Sequence, residues 1–462
     1  MSAGGRLLGC GLLVTIFLVA CTGSGSEGPP DPDDPANGTS DAAPNVLIIV
    51  TDDQRAEGTL DVMPTLRRLF EEEGTSFTNA VATTPLCCPS RAGIFTGQYS
   101  HNHGVTRNNK GPEMDERSAL PHYLQEAGYR TALVGKYLQG ILGIKRPPNF
   151  DDFTISGGLK YYERPTNVDG KQRIIARHAT DFMGDMAARY IRRFEERDDQ
   201  PWFLYVAPNA PHKPFEPETK YAEAEVPAFE PDEAALETDV SDKPPYVTDT
   251  DFTLGDPQTV WTQQLRLLMS VDDLVGKIFR AIEAGDEENT LAFYMSDNGL
   301  MLGEHGLFAK RVPYHQSVAI PLLARWPDHI EAGAEDDRMV ANIDLAPTIM
   351  GAAGIEPSAE FPIDGRSLLS DARRDRILLE EYENTVHGLP DWASILSNSY
   401  QFTEYYEKGT GDLMYREYYD LESDPFALEN LLGDDDPDND PDLQSLGEDL
   451  DAIRSCVGAE CP

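Results

Sequence analysis

The chain predicts an α/β fold: a large central, mostly parallel sheet sandwiched by helices, with a smaller C-terminal antiparallel-sheet subdomain. Three observations carry that prediction. From residue 45 onward, unbroken apolar runs alternate with amphipathic helical stretches, the pattern of strands buried on both faces by covering helices. Several of these runs stop at Asp, Lys, His or Asp-Asn-Gly segments, and in open α/β sheets ligands bind beyond the carboxyl ends of strands. After Gly354 the rhythm changes, and segments near 378–382, 393–396, 400–406 and 414–421 read as short antiparallel strands.

Taken in order, the first 21 residues read as an export signal. Arg6 is the one charge before an apolar stretch over 7–20, which is too short and too glycine-rich to span a membrane. It ends in Leu18-Val19-Ala20-Cys21, similar to a bacterial lipoprotein box with Cys21 as the lipidated residue. A plain signal peptide or an uncleaved anchor is the alternative. Residues 22–44 are Gly, Ser, Pro and Asp with almost nothing apolar, a flexible tether. The α/β domain is expected over 45–355, and the antiparallel subdomain with an acidic tail over 356–462.

The run 46–50 is a central strand ending at Asp52-Asp53, where paired carboxylates invite a metal but also suit a solvated turn. Residues 64–73 form an amphipathic helix closed by Gly74, and 120–127 another closed by Gly128. A strand over 130–134 delivers Gly135-Lys136-Tyr137-Leu138 to the sheet edge. A long helix over 176–196 precedes a strand over 202–207, which runs into Pro208-Asn209-Ala210-Pro211-His212-Lys213-Pro214-Phe215. Flanking prolines fix the backbone around His212. Residues 216–256 are rich in Pro and acid without period, a long excursion over the site. A helix over 260–284 and a strand over 290–295 lead to Ser296-Asp297-Asn298-Gly299, then Lys310, a strand over 320–326 and a helix over 343–353. The acidic run 434–442 lacks the glycine and terminal glutamate of a Ca2+-binding loop and reads as solvated.

Charge bounds the partners. With 80 Asp+Glu against 38 Lys+Arg, the formal net charge is −42. Such a field repels nucleic acid and anionic membranes. It also repels any anionic substrate, so an anion site must be built from local cations. Of six cysteines, Cys10 and Cys21 belong to the leader, Cys88 reads as a buried thiol, and Cys456 and Cys461 could close a small loop in an oxidising compartment.

Cys87 belongs to the stretch that organises the chain, Thr83-Thr84-Pro85-Leu86-Cys87-Cys88-Pro89-Ser90-Arg91-Ala92-Gly93-Ile94-Phe95-Thr96-Gly97. Pro89 suits a first helical position, which sets Cys87 just ahead of a helix N-terminus with Arg91 about one turn in. That environment favours a nucleophile attacking an oxyanion-bearing centre. The same stretch resembles the formylglycine-dependent sulfatases of the alkaline-phosphatase-like superfamily. Its continuation through Tyr99-Ser100-His101-Asn102-His103-Gly104-Val105 looks most like the N-acetylglucosamine-6-sulfatase branch.

The resemblance implies that Cys87 is oxidised to Cα-formylglycine by a formylglycine-generating enzyme before folding. It implies Ca2+, with Mg2+ as the smaller possibility, held by Asp52, Asp53, Asp297, Asn298 and an oxygen from modified Cys87. Those are hard oxygen donors, and with a sulfate oxygen the count reaches the ~6–8 typical of Ca2+. It further implies Arg91, Lys136 and Lys310 as sulfate-charge stabilisers, and His212 with Lys310 as proton donor to the departing oxygen. The Tyr419-Asp420-Leu421-Glu422-Ser423-Asp424-Pro425 segment is similar to a closing motif of the family.

Two positions depart from the wider pattern. Leu138 stands where many members have a histidine, which leaves the base that releases sulfate without a residue, and His315 stands where most have glutamate after Tyr314. The reading is exo-type hydrolysis of a sulfate ester on a sulfated carbohydrate, such as 6-O-sulfated N-acetylglucosamine, by an exported enzyme whose membrane contact is a lipid anchor at Cys21. The rival readings are a phosphate or phosphonate ester hydrolase of the same superfamily, and a non-catalytic glycan-binding surface lipoprotein.

Overall fold

The strand Asn45–Thr51 is buried at every residue, because it lies mid-sheet with helices on both sides. Trp202–Ala207 pairs with it on one flank and Thr290–Ser296 on the other, both parallel. A computed structural model describes residues 43–138, 146–196, 200–248, 253–282, 284–382, 388–434 and 436–462, so the leader and nearly all of the tether lie outside the described residues.

Outward from Trp202–Ala207 come Arg130–Gly135 and Asp152–Ser156, both parallel, then the edge hairpin Arg164–Val168 and Lys171–Ile175. On the other flank lie Leu322–Arg325, Thr75–Val81 and Ala334–Ala341. Only Leu322–Arg325 and Arg164–Val168 run against the rest of this ten-stranded sheet. Alternation along Asn45–Thr51 sends Leu47 and Ile49 to one face, where Ala179–Glu195 and Pro257–Phe279 pack. Val46, Ile48 and Val50 face the other core, shared with Cys87–Thr96, Leu120–Glu126 and Leu345–Ala352.

The C-terminal sheet is an antiparallel meander of Arg376–Glu381, Asp391–Ser397, Tyr400–Tyr406 and Leu413–Asp420. Its inner residues Ile377, Trp392 and Phe402 share a core with Tyr99, Met301 and Tyr314 of the preceding part. A disulfide joins Cys456 to Cys461.

Several elements differ from expectation for local reasons. The helix expected over 64–73 is one α-turn, Pro64–Leu66, widened into a π-turn, Arg67–Glu72. Asp272 caps it, accepting from the backbone N–H groups of Leu66 at 2.8 Å and Thr65 at 3.2 Å. Pro257–Phe279 begins early because Asp256 accepts from Thr259 N at 2.9 Å and Pro257 needs no partner at the first position. The expected excursion is largely irregular, interrupted by single turns such as Glu233–Leu236 and Pro245–Thr248, with 249–252 outside the described residues.

Candidate active site

Two strand ends build the centre. Asn45–Thr51 stops at Asp52 and Asp53, and Thr290–Ser296 stops at Asp297 and Asn298, all four buried. Asp53 turns through the left-handed region at φ 65°, a conformation non-glycine residues avoid unless neighbours impose it. Here the neighbours do: Asp53 N donates to Asp297 Oδ1 at 3.2 Å, Asn298 Nδ2 to Asp53 Oδ1 at 2.9 Å, and Gln264 Nε2 to Asp53 O at 3.1 Å.

The nucleophile segment reaches the same point from a helix start. The helix is Cys87–Thr96, so Cys87 is its first residue, and Pro89 sits two positions later than its sequence preference suggests. Proline is tolerated there because the first four helical N–H groups lack an intrahelical acceptor anyway. Two asparagines anchor the turn. Asn108 Oδ1 accepts from Cys88 N at 3.0 Å, while Asn342 accepts from Thr83 N and donates to Ser90 O, both at 3.0 Å. Cys87 Sγ lies 3.5 Å from Asp52 Oδ1 and 3.0 Å from Lys310 Nζ. One donor atom from each of Asp52, Asp53, Cys87 and Asp297 falls within 4.8 Å of the others.

Cations balance this carboxylate cluster. Lys136 Nζ donates to Asp52 Oδ2 at 2.7 Å, and Lys310 Nζ to Asp53 Oδ1 and, at 3.1 Å, to Asn298 Oδ1. Gly135 ahead of Lys136 sits at φ 111°, and a Cβ there would lie 2.1 Å from Ala207 O, so only glycine lets this strand end pass. Arg91 is fully buried, with Nε on Asp297 Oδ2 at 2.9 Å and Nη1 on Lys136 O and Tyr205 Oη at 3.3 Å. Among the described residues its other hydrogen bond is Nη2 on Thr51 O at 3.5 Å, so these donors are directed at the protein. His212 Nε2 lies 3.6 Å from Asp53 Oδ2, on a loop that Tyr161 Oη ties down through His212 O at 2.7 Å.

Burial and charge compete at each group. Burial alone would raise Asp52, but Lys136, His212 and Arg91 together hold its carboxyl at about 2. Asp53 is likewise lowered, since Lys310 and His212 outweigh the desolvation that opposes ionisation. Burial pushes the Cys87 thiol up to about 12 despite Lys136 and Lys310. An unmodified Cys87 therefore keeps its proton at neutral pH and is a poor nucleophile, contrary to what its place at a helix N-terminus suggests.

The donor set fits a hard divalent cation. Three carboxylates and the Asn298 side-chain amide converge from two strand ends, with no histidine or second thiol among the grouped donors. Beside them opens a cavity of about 400 Å³, lined by Asp53, His212 and Lys310 together with apolar residues including Leu86, Phe215 and Phe308. Leu138 is buried in the apolar core, and His315 pairs with Glu57 at 3.0 Å.

Sequence reasoning passed over Tyr205, Asn108 and Gln264. Gln264 had a readable signal, because it falls on the buried helical stripe with Val260, Leu267, Leu268 and Val271, where a polar residue needs a partner. Tyr205 and Asn108 carried none, since their partners lie far away in the chain.

Residues 44–355 match the pattern of the family described as Sulfatase, and 303–455 match N-sulphoglucosamine sulphohydrolase, C-terminal. The chain belongs to the sulfatase family. It is 34% identical over 356 residues to an extracellular sulfatase Sulf-1 homolog of Caenorhabditis elegans, a match covering 71% of this chain and 49% of that one. The chain thus spans about half the length of that relative. It is 28% identical to the Homo sapiens N-acetylglucosamine-6-sulfatase over 478 residues, covering 90% of this chain and 86% of the relative. A solved structure described as in complex with its substrate D-glucosamine-2-N,6-O-disulfate superposes with a TM-score of 0.72 at 25% identity, covering 89% of this chain and 97% of that one. The phosphonate monoester hydrolase of Silicibacter pomeroyi shares the fold, with a TM-score of 0.69 at 23% identity over 90% of this chain and 96% of that one.

Proposed function

We propose that this chain hydrolyses sulfate esters on a sulfated carbohydrate, such as 6-O-sulfated N-acetylglucosamine, as an exo-acting enzyme. The observation that carries the reading is the convergence of Asp52, Asp53, Asp297 and Asn298 with Cys87, Lys136, Lys310 and His212 at one sheet edge beside a cavity. In this reading Asp52, Asp53, Asp297 and Asn298 hold Ca2+. Cys87 is converted to Cα-formylglycine by a formylglycine-generating enzyme. Together, the cation and the hydrated aldehyde supply an acidified oxygen nucleophile in place of a protonated thiol. Cys87 is only 2% exposed in the fold, which supports conversion before folding.

The remaining work falls to the chain's own side chains. Lys136 and Lys310 flank Cys87 and hold sulfate oxygens, stabilising charge that grows in the transition state. His212, on the cavity side of Asp53, carries the proton to the departing sugar oxygen. Arg91 holds the Asp297 carboxylate in place at 2.9 Å, and so positions a ligand rather than touching substrate. Export with a lipid anchor at Cys21 and a flexible tether would place the enzyme on the cell envelope; the extracellular sulfatase relatives support secretion.

A mass spectrum of the Cys87 peptide from protein made with a formylglycine-generating enzyme tests this reading, followed by turnover of matched sulfate and phosphate monoesters. Aldehyde at Cys87 and preferred sulfate turnover are expected. Preferred phosphate or phosphonate turnover would favour the second reading, to which the shared fold of the phosphonate hydrolase lends support. Thiol at Cys87, with glycan binding that survives Cys87→Ala, would favour a non-catalytic surface lipoprotein.

A further inference from the structure

Arg311 follows Lys310 and lines the same cavity. Its backbone lies at φ 82° and that of Ala309 at φ 73°, so both neighbours of Lys310 adopt a conformation that non-glycine residues avoid. Such strain persists where the surroundings over-determine it and collects at functional sites. Here the C-terminal sheet imposes it. Trp392 Nε1 donates to Arg311 O at 3.0 Å, and Glu381 Oε1 accepts from Arg311 Nε at 2.8 Å and Nη2 at 2.6 Å.

Glu381 is fully buried, and its Oε2 has no hydrogen-bond partner among the described residues. Burial pushes its carboxyl up to about 7, against the pull of Arg311. A buried carboxyl with one idle oxygen is costly, and among the described residues the hydrogen bonds it does accept come from the one guanidinium beside the cavity. Both bonds use the Nε–Nη2 edge. Nη1 takes part in none of the described hydrogen bonds, and the side chain keeps 11% exposure.

A net charge of −42 sets what such a cation is for. The protein's field repels every anionic group of a substrate, and each group must meet a local cation. Lys136 and Lys310 serve the sulfate that is cleaved. Arg311 is a further cation lining the cavity beside Lys310, with planar N–H groups that match sulfate oxygens. We propose that Arg311, positioned by Glu381 and Trp392, binds a second sulfate group on the same sugar and makes the site prefer disulfated over monosulfated amino sugars. This deepens the sulfate-ester reading and rests on it.

The test uses the formylglycine-bearing enzyme on three sugars: N-acetylglucosamine 6-O-sulfate, glucosamine 2-N,6-O-disulfate and N-acetylglucosamine 3,6-di-O-sulfate. The expected result is a kcat/KM about tenfold or more higher for at least one disulfated sugar, the scale of a charge-assisted hydrogen bond. Arg311→Gln should erase most of that preference. Glu381→Ala should raise KM for the preferred sugar more than it lowers kcat, which a merely structural role would not do. A wild-type preference below about threefold for both disulfated sugars overturns the proposal whether or not the variants fold. So does a preference that survives Arg311→Gln. No turnover of any of the three removes the sulfate-ester reading itself, and this inference with it.

Discussion

Arg91→Met is the most informative perturbation, because it separates the support of the cluster from its chemistry. Arg91 is fully buried, and so is the Asp297 carboxylate it holds at 2.9 Å. Methionine keeps much of the side chain's length and removes the charge, leaving Asp297 with Lys136 at 3.9 Å and the Asp53 N–H at 3.2 Å. Removing one partner of a buried ion pair costs about 3–5 kcal/mol, since the other charge stays buried without compensation. Over the compact unit Ala43–Pro462, an unfolding entropy of about 2.1 cal/mol/K per residue gives about 0.9 kcal/mol per degree. The expected fall in Tm is therefore about 3–6 °C in chelator, read by calorimetry or circular dichroism. Saturating Ca2+ should shrink that deficit, because a cation held by the same carboxylates compensates Asp297 and binds the folded state. Adding Asp297→Asn to Arg91→Met should recover part of the loss, the signature of coupled neighbours. A deficit below about 1 °C in chelator would refute the claim that Arg91 maintains a buried carboxylate.

Two further outcomes follow from the C-terminal packing. His101 contacts acceptors through both ring nitrogens, Glu380 Oε2 at 2.9 Å and Cys456 O at 3.0 Å. Burial opposes protonation there, but the Glu380 hydrogen bond and charge outweigh it, so its pKa is raised. A raised folded-state value means the stabilisation is complete below the ordinary value near ~6.5 and is lost as pH rises through the folded one. The Tm gap between wild type and His101→Gln should be larger at about pH 5.5 than at about pH 9, and an equal or reversed gap would count against the pairing. Replacing Cys456 and Cys461 by serine opens a loop of sequence separation 5, and should cost about 2 kcal/mol, or about 2 °C in Tm. An unchanged melt would show that the loop is held without its disulfide.

The sequence by itself determined the parts whose physics is local. A strand buried on both faces must be apolar throughout, so 46–50, 130–134, 202–207 and 290–295 were legible, and with them the strand ends at Asp52-Asp53, Lys136 and Asp297-Asn298. The short cysteine spacing at 456 and 461 was legible for the same reason. Strands that lie at edges or alternate with polar residues were not. Thr75–Val81 mixes buried and exposed positions, Lys171–Ile175 is mostly exposed, and Ala334–Ala341 carries three consecutive acids after its first residue, so their identity rests on backbone pairing with a neighbour.

Tertiary structure alone decided what the candidate residues do to one another. Spacing placed Arg91 one turn into a helix, but only the fold shows its donors spent on Asp297, Tyr205 and backbone oxygens. The helix start at Cys87 promised an activated thiol, whereas complete burial keeps that thiol protonated. Glu381 and Trp392 lie some seventy and eighty positions beyond Arg311, yet they fix its guanidinium and its carbonyl. Charge, desolvation and hydrogen bonding act through space, so their balance appears only when distant segments are packed together.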